Sequence, residues 1–158
     1  MRLIRPASAR QLDLGLAILR TAVGAIFVAH GSQKLFVYGL AGVAAAFGQM
    51  GIPLASVTGP LVAFVEFAGG LALVAGLLTR VAGLGLAVNM LGALLLVHAK
   101  AGFFLPNGAE FVLALLAATT TLAVSGAGAF SLDALLAARL ASRAPSATPA
   151  APPLSRAA

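Results

Sequence analysis

The chain has 158 residues, of which 61% are hydrophobic and a further 18 are Gly, while only 9% are charged. A soluble domain carries about 25% charged residues, so this composition excludes an ordinary soluble enzyme and a disordered chain. The net charge of +6 does not indicate a nucleic-acid-binding domain, because the basic residues are scattered along the chain rather than clustered on one face.

Four apolar stretches predict four membrane-spanning helices, since a bilayer core of about 30 Å requires about 20 apolar residues per helix. After a basic segment at 1–11, the spans are predicted at residues 12–36, 55–78, 81–99 and 109–125. The first stretch is too long for a signal peptide and lacks a suitably placed cleavage site, so it is predicted to stay attached. The predicted fold class is therefore all-α, an integral membrane four-helix bundle whose domain covers residues 12–136.

Two shorter helices are predicted outside the spans. Residues 38–53 are apolar but too few to cross a bilayer, which indicates a short helix at the interface after the first span. Ser131 is placed as an N-cap with Asp133 in the first helical turn, and Leu residues recur at helical spacing after it. This pattern predicts an amphipathic helix on the inner membrane surface, ending in a disordered Ala/Pro-rich tail within 137–158.

The distribution of Lys and Arg predicts the orientation of the bundle, because cytoplasmic loops carry an excess of both residues. If both termini are cytoplasmic, seven Arg residues fall on the cytoplasmic side and only Lys34 and Lys100 fall outside. The seven are Arg2, Arg5, Arg10, Arg80, Arg139, Arg143 and Arg156.

Small residues recur along the spans and predict close contacts between helices, since membrane helices associate by packing rather than by a hydrophobic effect. A ligand channel is the alternative interpretation of the same residues. They are Gly24, Gly69, Gly70, Gly76, Gly83, Gly85 and Gly92.

Arg20 and Glu66 lie inside the first and second spans, where a charge costs roughly 2.5–3.5 kcal/mol. We expect the two side chains to be neighbours in the bundle interior. The pair is interpreted either as an architectural contact that fixes helix register or as part of a site for ligand binding or proton handling.

A second polar group lies at the outer ends of the first and third spans. His30 and Lys34 share a helix face with Arg20, whereas Gln33 points away, and His98 ends a span that runs parallel to the first. Lys34 and Lys100 could instead extend to the interface. The predicted ligand-binding set is Arg20, His30, Gln33, Lys34, Glu66, His98 and Glu110, with most of these lining a cavity that opens outward.

Such a cavity suits a quinone head group, because His and Lys can hydrogen-bond carbonyl oxygens and a carboxylate can relay protons. Two His residues on parallel helices could also hold a b-type haem, but nothing in the spacing directs both rings at one site. Asn89, midway along the third span, is predicted to form an interhelical hydrogen bond.

Several segments resemble the DoxX family of small four-span membrane proteins. They are LRTAVGAIFVAHGSQKLF at 19–36, GIP at 51–53, FVEFAGGLALVAGLLTR at 64–80, His98, and GAGAFSLDALL at 126–136. The resemblance implies a bacterial inner-membrane protein grouped with a subunit of a thiosulfate:quinone oxidoreductase or terminal quinol oxidase. Relatives are linked to oxidative-stress complexes containing superoxide dismutase and a sulfurtransferase. The matching positions are Arg20, His30, Gly31, Gln33, Lys34, Glu66, Gly70 and Arg80.

Three functions stay open. The first is a membrane subunit of a quinone-linked oxidoreductase system, in which any sulfur chemistry belongs to another subunit, because the chain has no Cys and hence no thiol. The second is a non-catalytic anchor or assembly factor for partner proteins. The third is a small-molecule transporter, against which stands the lack of a convincing inverted repeat. The expected partners are the lipid bilayer and either a partner subunit or a second copy of the chain.

Overall fold

A computed structural model describes residues 6–143, and every regular element in that range is helical. The predicted disordered tail from residue 144 onward, and the basic residues Arg2, Arg5 and Arg156, lie outside the described residues. The helices are α1 (Ala9–Ser32), α2 (Gly39–Gln49), α3 (Ala55–Ala75), α4 (Thr79–Ala93), α5 (Glu110–Ser125) and α6 (Leu132–Ala141). A π-helical segment at Gln33–Tyr38 extends α1, and another at Leu94–His98 extends α4.

Three helical stretches are long and apolar enough to cross a membrane, namely Ala9–Gln49, Ala55–Ala75 and Thr79–Ala101. Helix α5 is apolar but has 16 residues, about 24 Å of helix, which is shorter than a typical bilayer core. An exposed apolar loop at 103–105 precedes it. The predicted all-α membrane bundle is thus confirmed, with three helical stretches of spanning length and a shorter apolar helix.

The bundle has two distinct ends. The end that we call the terminal end holds the start of α1, the turn between α3 and α4, and helix α6. The opposite end, called the cavity end below, holds the π-helical extensions of α1 and α4, helix α2 and the loop 102–109. The core lies between α1, α3, α4 and α5 and contains Val23, Phe27, Leu73, Leu86, Met90, Val112, Leu115 and Leu122.

Helix α1 packs closely against α3 because Gly stands where the two backbones meet. A Cβ atom added to Gly24 would lie 2.7 Å from the carbonyl oxygen of Gly70, and one added to Gly31 would lie 2.7 Å from the Cα atom of Phe67. A Cβ at Gly83 would likewise lie 2.8 Å from the backbone of α5. The predicted packing role is confirmed at Gly24, Gly70 and Gly83.

Helices α3 and α4 pack more closely near Gly69 than near Gly92. A Cβ at Gly69 would lie 3.1 Å from the Leu86 side chain, whereas one at Gly85 would meet its nearest atom, in Val65, at 3.8 Å. At Gly92 no atom lies within 4 Å. The packing prediction is therefore wrong for Gly92, whereas Gly85 lies at ordinary van der Waals distance from the Val65 side chain.

Substitution of Gly31 by Ala should destabilise the bundle, because the added methyl group has to displace the backbone of α3. Overpacking of this kind costs about 1–3 kcal/mol. Thermal unfolding in detergent, followed by circular dichroism, measures the effect. Gly15→Ala is the matched control, since a Cβ at Gly15 meets no atom within 4 Å. Equal unfolding temperatures for the two variants would contradict the close contact.

A hydroxyl group and a carboxylate of α6 and its N-cap stabilise the terminal end. The predicted N-cap is confirmed, because the hydroxyl oxygen of Ser131 accepts a hydrogen bond from the Ala134 amide at 3.2 Å. The Asp133 carboxylate, in the first turn of α6, also accepts from the amides of Leu78 at 2.7 Å and Thr79 at 3.0 Å. A side chain of α6 thereby caps the N-terminus of α4, where a negative charge is favourable.

Candidate functional site

Arg20 is buried at the terminal end and does not contact Glu66, so the prediction that these residues are neighbours is wrong. Its guanidinium donates to the carbonyl oxygens of Leu73 at 2.9 Å and Val74 at 2.6 Å, and to that of Phe130. Only 5% of the residue is exposed. Carbonyls in the last turn of a helix lack an intrahelical donor and carry partial negative charge, so Arg20 stabilises the C-terminus of α3.

The antiparallel register of α1 and α3 explains this outcome. Gly24 lies against Gly70, so the earlier Arg20 lies against the C-terminal end of α3. Glu66, nearer the middle of α3, therefore lies against a later part of α1. Its partner there is Lys34, which stands near the start of the π-helical extension.

Glu66 is the centre of a polar cluster that connects three helices. The Lys34 ammonium forms an ion pair with Glu66 Oε2, and the Asn89 amide donates to Oε1 at 3.0 Å. Glu66 is 4% exposed, and the Lys34 side chain is 20% exposed. The interhelical hydrogen bond predicted for Asn89 is confirmed, and the cluster as a whole joins the extension of α1 to α3 and α4.

The chain contains four acidic residues, and Glu66 differs from the other three. The carboxylates of Asp13, Glu110 and Asp133 each accept hydrogen bonds from main-chain amides, those of Ala129, Leu105 and the first residues of α4. Glu66 instead binds two side chains. Three carboxylates therefore hold loops and helix ends in place, and one lies in the interior of the bundle beside a cavity.

This cavity has a volume of about 610 Å³ and lies between α3 and α4 at the cavity end. Side chains from α1, α2 and α5 complete its walls, which are mainly apolar and include Phe27, Phe47, Leu61, Val65, Phe111 and Leu115. The polar residues that line it are His30, Lys34, Thr58, Glu66, Asn89 and His98.

The cavity opens on the outer surface of the bundle between α3 and α4. Its lining includes Leu61, Val88 and Leu96, which are 59%, 63% and 49% exposed. Gly92 also lines it, at the level where the two helices have spread apart. In a membrane, this exposed apolar surface would face lipid.

The structure brings together four of the predicted ligand-binding residues and leaves three outside. His30, Lys34, Glu66 and His98 line the cavity, whereas Arg20 lies at the opposite end of the bundle. Gln33 is exposed and does not line the cavity, consistent with its predicted direction. The Glu110 carboxylate accepts the Leu105 amide at 2.8 Å, within the loop 102–109.

Sequence reasoning missed Thr58 as a lining residue, and for Gly85 and Gly92 it offered a ligand channel only as the alternative to close packing. A hydroxyl near the start of an apolar span gives no functional signal of its own. In the sequence, Gly85 and Gly92 look the same as the other Gly residues of the spans, most of which pack against a neighbouring helix. Only the separation of α3 from α4 distinguishes them.

Comparison with known proteins gives a match to the family model described as DoxX over residues 15–99. "Putative oxidoreductase CatD" of Bacillus subtilis (strain 168) is 34% identical over 124 residues, covering 78% of this chain and 88% of that protein. "Uncharacterized membrane protein Rv3486" of Mycobacterium tuberculosis (strain ATCC 25618 / H37Rv) is 34% identical over 132 residues, covering 77% and 80%. "Inner membrane protein YqjF" of Escherichia coli (strain K12) is 32% identical over 130 residues, covering 78% and 93%. No solved structure matches the chain.

Proposed function

The chain belongs to the DoxX family of membrane proteins, and we propose that its cavity binds the head group of a membrane quinone as part of a quinone-linked redox system. The predicted multi-pass inner-membrane localisation agrees with its apolar spans and with the name of the Escherichia coli relative. The name of the Bacillus relative supports a redox role in general terms. The observation that carries the proposal is an ion pair between the half-buried Lys34 and the buried Glu66 in the wall of a mainly apolar cavity.

The cavity fits a quinone head group by size and surface. Its volume of about 610 Å³ is within the range of about 300–1,000 Å³ that is usual for small-molecule sites. Phe27, Phe47 and Phe111 contribute aromatic walls against which a flat ring can pack. The lateral opening between α3 and α4 allows an isoprenoid tail to remain in the lipid while the ring lies inside.

The polar cluster supplies hydrogen bonds at the inner wall of the cavity. An ammonium group has three N–H donors, and Lys34 uses one on Glu66, which leaves others for a carbonyl oxygen of the ligand. Asn89 holds the second carboxylate oxygen and so fixes the orientation of Glu66. Because Lys34 and Glu66 are titratable groups in direct contact, they can hold a proton for a ligand oxygen and release it again.

A bound quinone supplies two-electron, two-proton redox chemistry. The chain contributes binding, the exclusion of water by its apolar walls, and a place for the proton at Glu66. In this proposal a partner protein provides the electron donor or acceptor.

A cavity-filling substitution tests the proposal. Gly92 lines the cavity, and an added Cβ there meets no atom within 4 Å, so Gly92→Phe should reduce the cavity volume and weaken the binding of a short-chain ubiquinone about tenfold or more. Gly15→Phe is the matched control, because Gly15 is exposed, meets no atom within 4 Å of an added Cβ, and lies outside the cavity. Binding is measured by equilibrium titration of protein in lipid nanodiscs.

Circular dichroism establishes whether each variant has the wild-type helix content, and Gly92→Leu replaces Gly92→Phe if the larger residue prevents folding. Wild-type affinity in a folded cavity-filled variant would show that quinone does not bind here. So would a complete lack of binding to the wild-type protein.

A further inference from the structure

His98 is held by the loop that follows α4, and this contact determines which of its nitrogens carries the proton. The ring nitrogen Nδ1 lies 2.9 Å from the main-chain carbonyl oxygen of Asn107. A carbonyl oxygen can only accept a hydrogen bond, so Nδ1 must be the donor. A neutral imidazole carries one proton, and its other nitrogen, Nε2, is then an acceptor.

Hydrogen bonds within the loop 102–109 hold in place the Asn107 carbonyl that accepts from His98. The Leu105 amide donates to the Glu110 carboxylate at 2.8 Å, and two further main-chain hydrogen bonds close the loop, from Ala109 to Gly102 at 3.0 Å and from Glu110 to Phe103 at 2.9 Å. The Asn107 carbonyl therefore belongs to an internally bonded loop. The protonation of Nδ1 is a property of the fold and does not depend on a ligand.

The cavity thus offers two different polar partners to a ligand. Lys34 can only donate, because an ammonium group has no lone pair. His98 lines the same cavity, and its Nε2 makes no hydrogen bond within the described residues. The lining therefore contains one side chain that only donates and a second whose free ring nitrogen is an acceptor.

A quinone and a quinol differ in how they satisfy these partners. Quinone oxygens only accept, so one of them opposite Nε2 would place two lone pairs against each other. A quinol hydroxyl donates as well as accepts and can satisfy both Nε2 and Lys34. A site that hydrogen-bonds a hydroxyl group rejects an analogue that lacks it, because a polar group that the bound analogue covers is left unpaired.

We propose that His98 is a specificity-determining residue whose unprotonated Nε2 accepts a hydrogen bond from a ligand hydroxyl group, so that the cavity prefers the hydroxylated, reduced form of its ligand. The inference rests on the proposed quinone site and assigns to it a preference between redox forms. Glu110 and the loop 102–109 act indirectly, by positioning His98.

The test compares the affinities of ubiquinol-1 and ubiquinone-1 under anaerobic conditions at pH 8, where a free imidazole is neutral. Wild-type protein should bind the quinol about tenfold more tightly, the effect of one well-made hydrogen bond. His98→Gln offers both a donor and an acceptor, and its preference should fall to about twofold or less. Lys100→Gln, at an exposed position two residues later, should keep the wild-type preference.

The tautomer is measured separately by nitrogen NMR of wild-type protein labelled at its His residues. A protonated Nδ1 and an unprotonated Nε2 are expected for His98, with the Nε2 signal moving when ubiquinol-1 is added. This measurement decides the question even if His98→Gln does not fold. A protonated Nε2 in the ligand-free protein would overturn the inference.

Equal wild-type affinities for the two redox forms would also overturn it while leaving the proposed quinone site in place. Failure of both forms to bind would instead overturn the proposed function itself. A quinol preference that His98→Gln leaves unchanged would show that another residue sets the selectivity.

Discussion

Replacement of Arg20 by Met is expected to lower the free energy of unfolding by about 3 kcal/mol or more. The carbonyl oxygens of Val74 and Phe130 would lose the donor that the guanidinium supplies, while that of Leu73 would keep only the Gly76 amide. An unsatisfied polar group in the interior costs about 1–3 kcal/mol. Met retains an unbranched apolar stem like that of Arg but has no hydrogen-bond donor, so the variant removes all the hydrogen bonds of the guanidinium.

Thermal unfolding in detergent, followed by circular dichroism, measures this effect, and a decrease of about 10 °C is expected. The helix signal suits the protein because it has no Trp and only one Tyr. Arg139→Met, an exposed Arg in the last turn of α6, is the control and should leave the unfolding temperature unchanged. Similar unfolding temperatures for both variants would contradict the role of Arg20 at the end of α3.

Replacement of Glu66 by Leu is expected to destabilise the bundle by about 3–5 kcal/mol, because it leaves the Lys34 ammonium without its charged partner in a low-dielectric interior. Adding Lys34→Met to this variant should recover most of the loss. An ion pair in such a place is often replaced by apolar residues of similar size at little net cost.

The four proteins needed are the wild type, the two single variants and the double variant, and their unfolding free energies form a thermodynamic cycle. A coupling of about 3 kcal/mol is expected between Lys34 and Glu66. Lys100→Met, which removes an exposed ammonium at the same end of the bundle, should show no coupling to Glu66→Leu. A double variant that is no more stable than Glu66→Leu would contradict a direct ion pair.

The helices of this protein can be predicted from sequence because lipid imposes a simple requirement. A segment that crosses a bilayer must be apolar over about 20 residues and must satisfy its own backbone, so hydropathy alone locates α1, α3 and α4. The start of α6 can be predicted as easily, since the Ser131 hydroxyl oxygen accepts a hydrogen bond from the amide of Ala134, only three residues later. These features depend on neighbours in the chain.

The partners of the buried charges could not be predicted in the same way. The cost of a charge in the membrane correctly marks Arg20 and Glu66 as residues that need partners. This cost does not identify the partners, which for Arg20 include main-chain carbonyls at the C-terminal end of α3. Carbonyls of this kind are present at the end of every helix. The choice depends on the antiparallel register of α1 and α3, which Gly24 and Gly70 set through a close backbone contact.

The shape of the cavity depends on π-helical segments and loop contacts that no simple sequence pattern predicts. Helix faces counted at 100° per residue correctly place His30 and Lys34 together. The π-helical extensions of α1 and α4, which carry Lys34 and His98, have no simple sequence signature, although such segments are common at functional sites. The contact of His98 with Asn107 likewise depends on the fold of a loop.

Binding of a short-chain ubiquinone to the double variant Lys34→Met/Glu66→Leu tests the central claim most directly, because this variant is expected to fold while lacking the charged cluster. The account predicts wild-type helix content together with affinity that is reduced about tenfold or more, whereas the exposed control Gln33→Ala binds like wild type. Wild-type affinity in a folded double variant would contradict the claim that the Lys34–Glu66 pair forms the quinone site.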